Sequence, residues 1–101
     1  MKEIIIKFVK GPSKKKYTAI LQNKSSKKIR KLHFGANGYA QYRDSTPLGL
    51  YTNRNHSDIK RMRRYYQRHS GTDKRLVAIK KEKQKSDFYY TPKILSHLYL
   101  W

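Results

Sequence analysis

The chain has no cysteine, and only six of its 101 residues are acidic. The first absence excludes disulfide scaffolds, zinc ribbons and thiol chemistry. The second leaves too few carboxylates for the clustered metal-binding acids of a nuclease. Long apolar runs are missing too. Ile4, Ile5, Ile6 and Phe8 form a short stretch broken by Lys7, too short for a signal peptide. Residues 88–101 are too few to span a bilayer and carry Lys93 and His97. No Walker loop, GxSxG elbow or paired carboxylates occur. No enzymatic activity, cofactor or metal site is therefore expected. His33, His56, His69 and His97 lack the close spacing of a metal pair, and Asp44, Asp58 and Asp73 stand alone in the sequence.

What the chain does have is positive charge. Its 25 lysines and arginines give a formal net charge of +19. A magnitude of about 2–8 suffices for the solubility of a small domain. Such an excess opposes compaction unless an anion neutralises it. Nucleic acid, an anionic membrane surface or an acidic protein would serve, and nucleic acid is the commonest partner of such a composition. At this length the chain forms one small basic domain, residues 1–101, with a thin core. Nine tyrosines suit such a core, since the ring packs while the hydroxyl stays wet or bonded.

The hydrophobic pattern predicts an α+β fold. Residues 2–9 are β-rich and end at the turn pair Gly11-Pro12. Residues 17–23 alternate, with Tyr17, Ala19 and Leu21 on one face and Thr18, Ile20 and Gln22 on the other. Residues 27–34 form a third strand, hairpin-paired to the second, and complete a small antiparallel sheet. Residues 35–56 have no period and read as a long loop, packed by its own aromatics. A helix follows over 57–69, with Ser57 as N-cap, Asp58 in the first turn and Gly71 past the end. Residues 74–86 fit either a strand or a helical turn, with an exposed KKEKQK tail. Thr91-Pro92 starts a short C-terminal helix that brings Ile94, Leu95, Leu98 and Trp101 to one side.

Two basic sets are the candidate polyanion-binding residues. On the 57–69 helix, Lys60, Arg61, Arg63, Arg64 and Arg68 share one face, opposite an arc of Ile59, Met62, Tyr65, Tyr66 and His69. No acidic partner at i+4 relieves their repulsion, and the guanidinium fork matches phosphate oxygens. The second set sits at strand ends and turns: Lys14, Lys15, Lys16, Lys27, Lys28 and Arg30, with Lys10, Lys24 and Lys31 nearby. Lysines there also discourage edge-to-edge strand pairing. Tyr39, Tyr42 and Tyr51, interleaved with Arg43 and Arg54, are expected to pack the loop onto the sheet; stacking on bases or anchoring a protein interface is the alternative.

The runs HFGANGYAQY (33–42), RRYYQRHSG (63–71) and TPKILSHLYLW (91–101) resemble a family of small basic proteins of nucleocytoplasmic large DNA viruses. The shared features fall on His33, Phe34, Gly35, Gly38, Tyr39, Arg64, Tyr65, Arg68, His69, Pro92, Leu100 and Trp101. The likeness covers about residues 17–101, with an insertion through 74–86 and an expanded 43–56. Where the family tends to carry a second Trp or Phe in the closing segment, this chain has Leu95 and Leu98. The resemblance implies a structural virion component, a minor capsid or genome-associated protein, located in the virion or the host cell interior. Its partner would be nucleic acid or acidic capsid proteins. The alternative is a sequence-independent DNA- or RNA-binding protein, ribosome-like. The resemblance transfers no catalytic residue.

Overall fold

A computed structural model describes residues 1–101. Three strands, β1 (Glu3–Lys10), β2 (Lys15–Asn23) and β3 (Ile29–Ala36), form an antiparallel sheet in the order β1-β2-β3. Three helices follow: α1 (Ile59–Ser70), α2 (Arg75–Lys85) and α3 (Pro92–Tyr99). The fold is α+β, with the sheet in the N-terminal half as the alternation of β2 requires. Tyr17, Ala19 and Leu21 are fully buried. They pair with Phe34, Leu32 and Arg30 on β3, and Phe8 and Ile5 of β1 meet Ala19 and Leu21. The register of β1 slips between Ile5 and Lys7, a bulge that returns Phe8 to the buried face.

The core is the inner face of this sheet covered by the C-terminus. Phe8, Tyr17, Ala19, Leu21 and Phe34 pack with Leu95 and Leu100. Edge-on aromatic contacts link Phe8 to Phe34 and Tyr99 at 5.9 and 4.8 Å. Gly35 makes this approach possible. Its φ is +79°, and a Cβ there would sit 2.8 Å from Leu100 Cδ1.

Asp58, rather than Ser57, caps α1: its carboxylate accepts from the Lys60 and Arg61 amides at 2.9 and 3.3 Å. Ser57 takes a positive φ of 53° in the turn before it. Gly71 closes the helix in the left-handed conformation. Along the expected apolar arc Tyr66 is fully buried, Met62 and Tyr65 are half-buried, and Ile59 and His69 stay exposed. Residues 74–86 resolve into helix α2, whose buried side is Ala78, Ile79 and Glu82. Glu82 is thus not part of an exposed tail. Thr91 caps α3 by accepting from the Ile94 amide at 3.1 Å, with Pro92 at the first helical position.

The long loop holds one short 3-10 turn, Thr52–Arg54, and is organised by two polar side chains. The Asp44 carboxylate accepts from the Tyr17 hydroxyl, the Thr46 amide and hydroxyl, and the Tyr51 amide. Burial pushes this carboxyl up, but those hydrogen bonds outweigh it and hold it below its ordinary range. Gln41 donates to Tyr51 O and Asn55 Oδ1, both at 2.7 Å. Of the three loop tyrosines expected to pack onto the sheet, Tyr51 does so, edge-on against Tyr17 at 5.3 Å; Tyr39 instead is 71% exposed and Tyr42 packs against His56 within the loop. No helix is long and apolar enough to cross a membrane.

Candidate polyanion-binding groove

The β2–β3 hairpin, α1 and α3 meet at one end of the sheet around an open groove of about 670 Å³. The hairpin supplies Lys15, Lys16, Gly35 and Ala36; α1 supplies Arg61, Arg64 and Arg68; α3 and the chain end supply Lys93 and Trp101. The arginines fall on one helix face because steps of three and four residues return to nearly the same angle. They run over about 10 Å of helix axis. Six of the 17 lining residues are Lys or Arg and none is Asp or Glu.

The orientation of α1 is set from below. The Trp101 ring lies flat on Tyr65, with centroids 4.2 Å apart and planes 3° apart, and packs against His56 at 5.2 Å. Under these rings a buried polar chain ties α1, α2 and α3 together. Ser70 Oγ donates to Glu82 Oε2 at 2.9 Å, which uses its one proton. It therefore accepts from His97 Nε2 at 2.8 Å, and His97 Nδ1 accepts from the Tyr65 hydroxyl at 2.9 Å. Every link is satisfied with a neutral imidazole. Burial pushes His97 down to about 4; Glu82 acts in the opposite sense, while His69, Lys93 and Arg75 add to the depression. The same burial pushes the Tyr65 hydroxyl up and the Tyr66 hydroxyl to about 12. Serine, histidine and carboxylate are adjacent here, yet the carboxylate meets the serine and not the imidazole, and Ser70 is buried. That geometry fastens helices and does not activate a nucleophile.

The groove cations differ in their commitments. Lys16 is buried, and its ammonium donates to Tyr39 O at 2.7 Å and to Gln41 Oε1. Desolvation lowers it to about 8, with the Asp44 charge opposing. It pins the rim. Lys93 donates to His69 O at 3.2 Å and stands 3.8 Å from Glu82. Lys15, Arg61, Arg64 and Arg68 are exposed and have no side-chain hydrogen bond or ion pair in the protein. Burial and the neighbouring Arg68 and Lys93 together lower His69, so it adds no further charge near neutral pH.

The other candidate residues lie elsewhere. Lys60 and Arg63 are exposed on α1 but do not line the groove. Lys14 sits in the β1–β2 turn at the groove end, outside the lining. Lys27 and Lys28 occupy the β2–β3 turn, about 26 Å from Lys15 along an extended strand. Arg30 is the one member of the predicted set that is engaged by an acid of the protein. Its guanidinium holds both oxygens of the buried Glu3 carboxylate, at 2.6 and 2.8 Å, and donates to Tyr90 O at 2.6 Å. It clasps the sheet to the segment before α3. Lys93 and the Tyr65–Trp101 floor escaped the sequence reading; the one available signal was the Pro-Lys pair opening the C-terminal helix. Comparison with protein-family models, curated proteins and solved structures found no match.

Proposed function

We propose that this protein is a non-enzymatic binder of nucleic acid that grips phosphates in the groove between α1 and the hairpin end, as a genome-associated component of a large DNA virus particle. One observation carries the binding: cations from three separate elements converge on a groove whose lining holds no Asp or Glu side chain. Unpaired like charges held together on a folded surface raise the electrostatic free energy of the protein alone, and a polyanion relieves it. Arg61, Arg64 and Arg68 offer guanidinium forks, whose geometry suits phosphate oxygens better than the point charge of lysine. Unlike Arg30, they have no internal acid to occupy them. The virion setting is supported by the resemblance of residues 33–42, 63–71 and 91–101; the grip itself is supported by the groove.

The reading makes binding steeply salt-dependent and indifferent to sequence. With four to six phosphates neutralised, log K falls against log[salt] with a slope of about −4 to −5. Changing Arg61, Arg64 and Arg68 together to Gln flattens that slope by about two to three units. Fluorescence anisotropy of a labelled oligonucleotide over a salt series measures both. A wild-type slope near zero, or a triple variant that binds like wild type, contradicts the proposal.

A further inference from the structure

Tyr39 is the most exposed aromatic residue in the protein, at 71%, and it lines the cationic groove. Its backbone is held while its ring is free. The turn from Ala36 to Tyr39 passes through Gly38 at a φ of +89°. Asn37 donates to Ser13 O at 3.0 Å. The Tyr39 carbonyl accepts from the buried Lys16 ammonium at 2.7 Å. No aromatic ring and no cation stacks on either face of Tyr39, whereas Tyr65 lies on Trp101 and Tyr51 packs on Tyr17. The main chain thus places an unpartnered ring on the rim of a groove that also holds the unpaired side chains of Lys15, Arg61, Arg64 and Arg68.

We infer that the groove takes single-stranded nucleic acid, with phosphates on Arg61, Arg64 and Arg68 and an unpaired base stacked on Tyr39. This rests on the phosphate-binding reading of the same groove and adds the strandedness of the ligand. In a duplex the bases are already stacked on one another and the ring gains nothing beyond the cations. In a single strand each base has a free face, and base–aromatic stacking tolerates any base. The pairing of a cationic track with a free ring is therefore selective for strandedness and not for sequence.

The test compares four probes by anisotropy at one salt concentration: oligothymidylate and oligouridylate of about twelve nucleotides, within the span of single-strand sites, a duplex of equal length, and inorganic polyphosphate as a competitor without bases. The single strands are expected to bind more tightly than the duplex. Tyr39→Leu should weaken single-strand binding about five- to tenfold, the lower end of what stacking on one ring supplies. It should leave duplex and polyphosphate binding within about twofold, and Tyr39→Trp should retain the wild-type preference. The thermal midpoint of Tyr39→Leu should match wild type, because the ring is 71% exposed and stacks on no other ring or cation. Equal or tighter binding of duplex by the wild type, or an equal loss of polyphosphate binding in Tyr39→Leu, overturns the single-strand inference and leaves the phosphate grip standing. Failure of polyphosphate and every nucleic acid to bind overturns both.

Discussion

Both ends of the β2–β3 hairpin are rich in cations, but only at the turn end do some of them, Lys2 and Arg30, meet an acid, while Lys24, Lys27 and Lys28 there form no ion pair. At the turn end, acids lie within reach. Lys2 donates to Asp87 at 2.7 Å, and Arg30 clasps Glu3, whose carboxyl is held below its ordinary range first by the Arg30 hydrogen bonds. At the groove end Lys15, Arg61, Arg64 and Arg68 form no ion pair, the nearest acid being Asp58, which is taken up capping α1. Only four of the 25 Lys and Arg side chains enter ion pairs, and Lys24, Lys27 and Lys28 of the turn are not among them, so the groove end is set apart by gathering cations from three elements around one concave surface. A count of basic residues cannot make that distinction; their placement does.

The largest perturbation removes the platform on which both ends stand. A chain ending at Thr91 loses Ile94, Leu95 and Leu100, all essentially inaccessible to solvent. Each deletion of such a group costs about 2–5 kcal/mol, which together rivals the whole stability of a domain, about 5–15 kcal/mol. Its thermal melt should lose cooperativity; an unchanged midpoint would show that α3 is not structural.

Acid titration sharpens the contrast next, because a buried base lies beneath the groove among its cations. His97 sits near 4 in the folded protein against about 6.5 unfolded. Between those values the unfolded chain binds the extra proton, so stability is complete above pH 6.5 and falls as pH drops toward 4. The loss is on the order of 2–3 kcal/mol, and below the folded value it stops growing. Denaturant midpoints from pH 7 to 4.5 should decline in wild type and decline less steeply in His97→Gln, where the lowered His56 and His69 still contribute. Equal slopes in the two would remove His97 from the account.

Breaking the paired end has a smaller effect. Arg30→Ala leaves the Glu3 carboxylate buried with only the Tyr90 amide at 2.9 Å. Loss of a partner from a fully buried pair costs about 3–5 kcal/mol. The Arg30 side chain is 43% exposed, so solvent screening reduces this to about 2 kcal/mol. Phosphate binding should stay within about twofold of wild type, since this end contributes no groove cation. A stable Arg30→Ala variant that binds nucleic acid poorly would reverse the roles assigned to the two ends.

The sheet was legible because the apolar residues of β2 alternate onto the core face, although Lys16 and Thr18 on the opposite face are buried as well. Tyr17, Ala19 and Leu21 announce it without tertiary knowledge. The start of α1 was misplaced by one residue, since Ser57 and Asp58 are both good caps and only the backbone angle at Ser57 separates them. Helix α2 was obscured because Leu76 and Val77 point to solvent while Glu82 is buried, the reverse of what an apolar stripe would show. The arginine face of α1 could be read from helical spacing. Its convergence with Lys15 and Lys93 could not, because the sheet, α1 and α3 are brought together by Leu100, Tyr65 and Trp101, far apart in sequence. Arg30 and Lys28 look alike in the chain, and only the strand register that puts Glu3 next to Asn23 shows which one is spoken for.

The most direct test removes equal charge from the two ends. Arg61→Gln with Arg64→Gln and Arg68→Gln is compared with Lys24→Gln, Lys27→Gln and Lys28→Gln, and the salt dependence of oligonucleotide binding is measured for both. The groove variant should lose about two to three units of slope and the turn variant less than about one. Equal losses would mean that net charge alone drives binding, and that the groove is not its site.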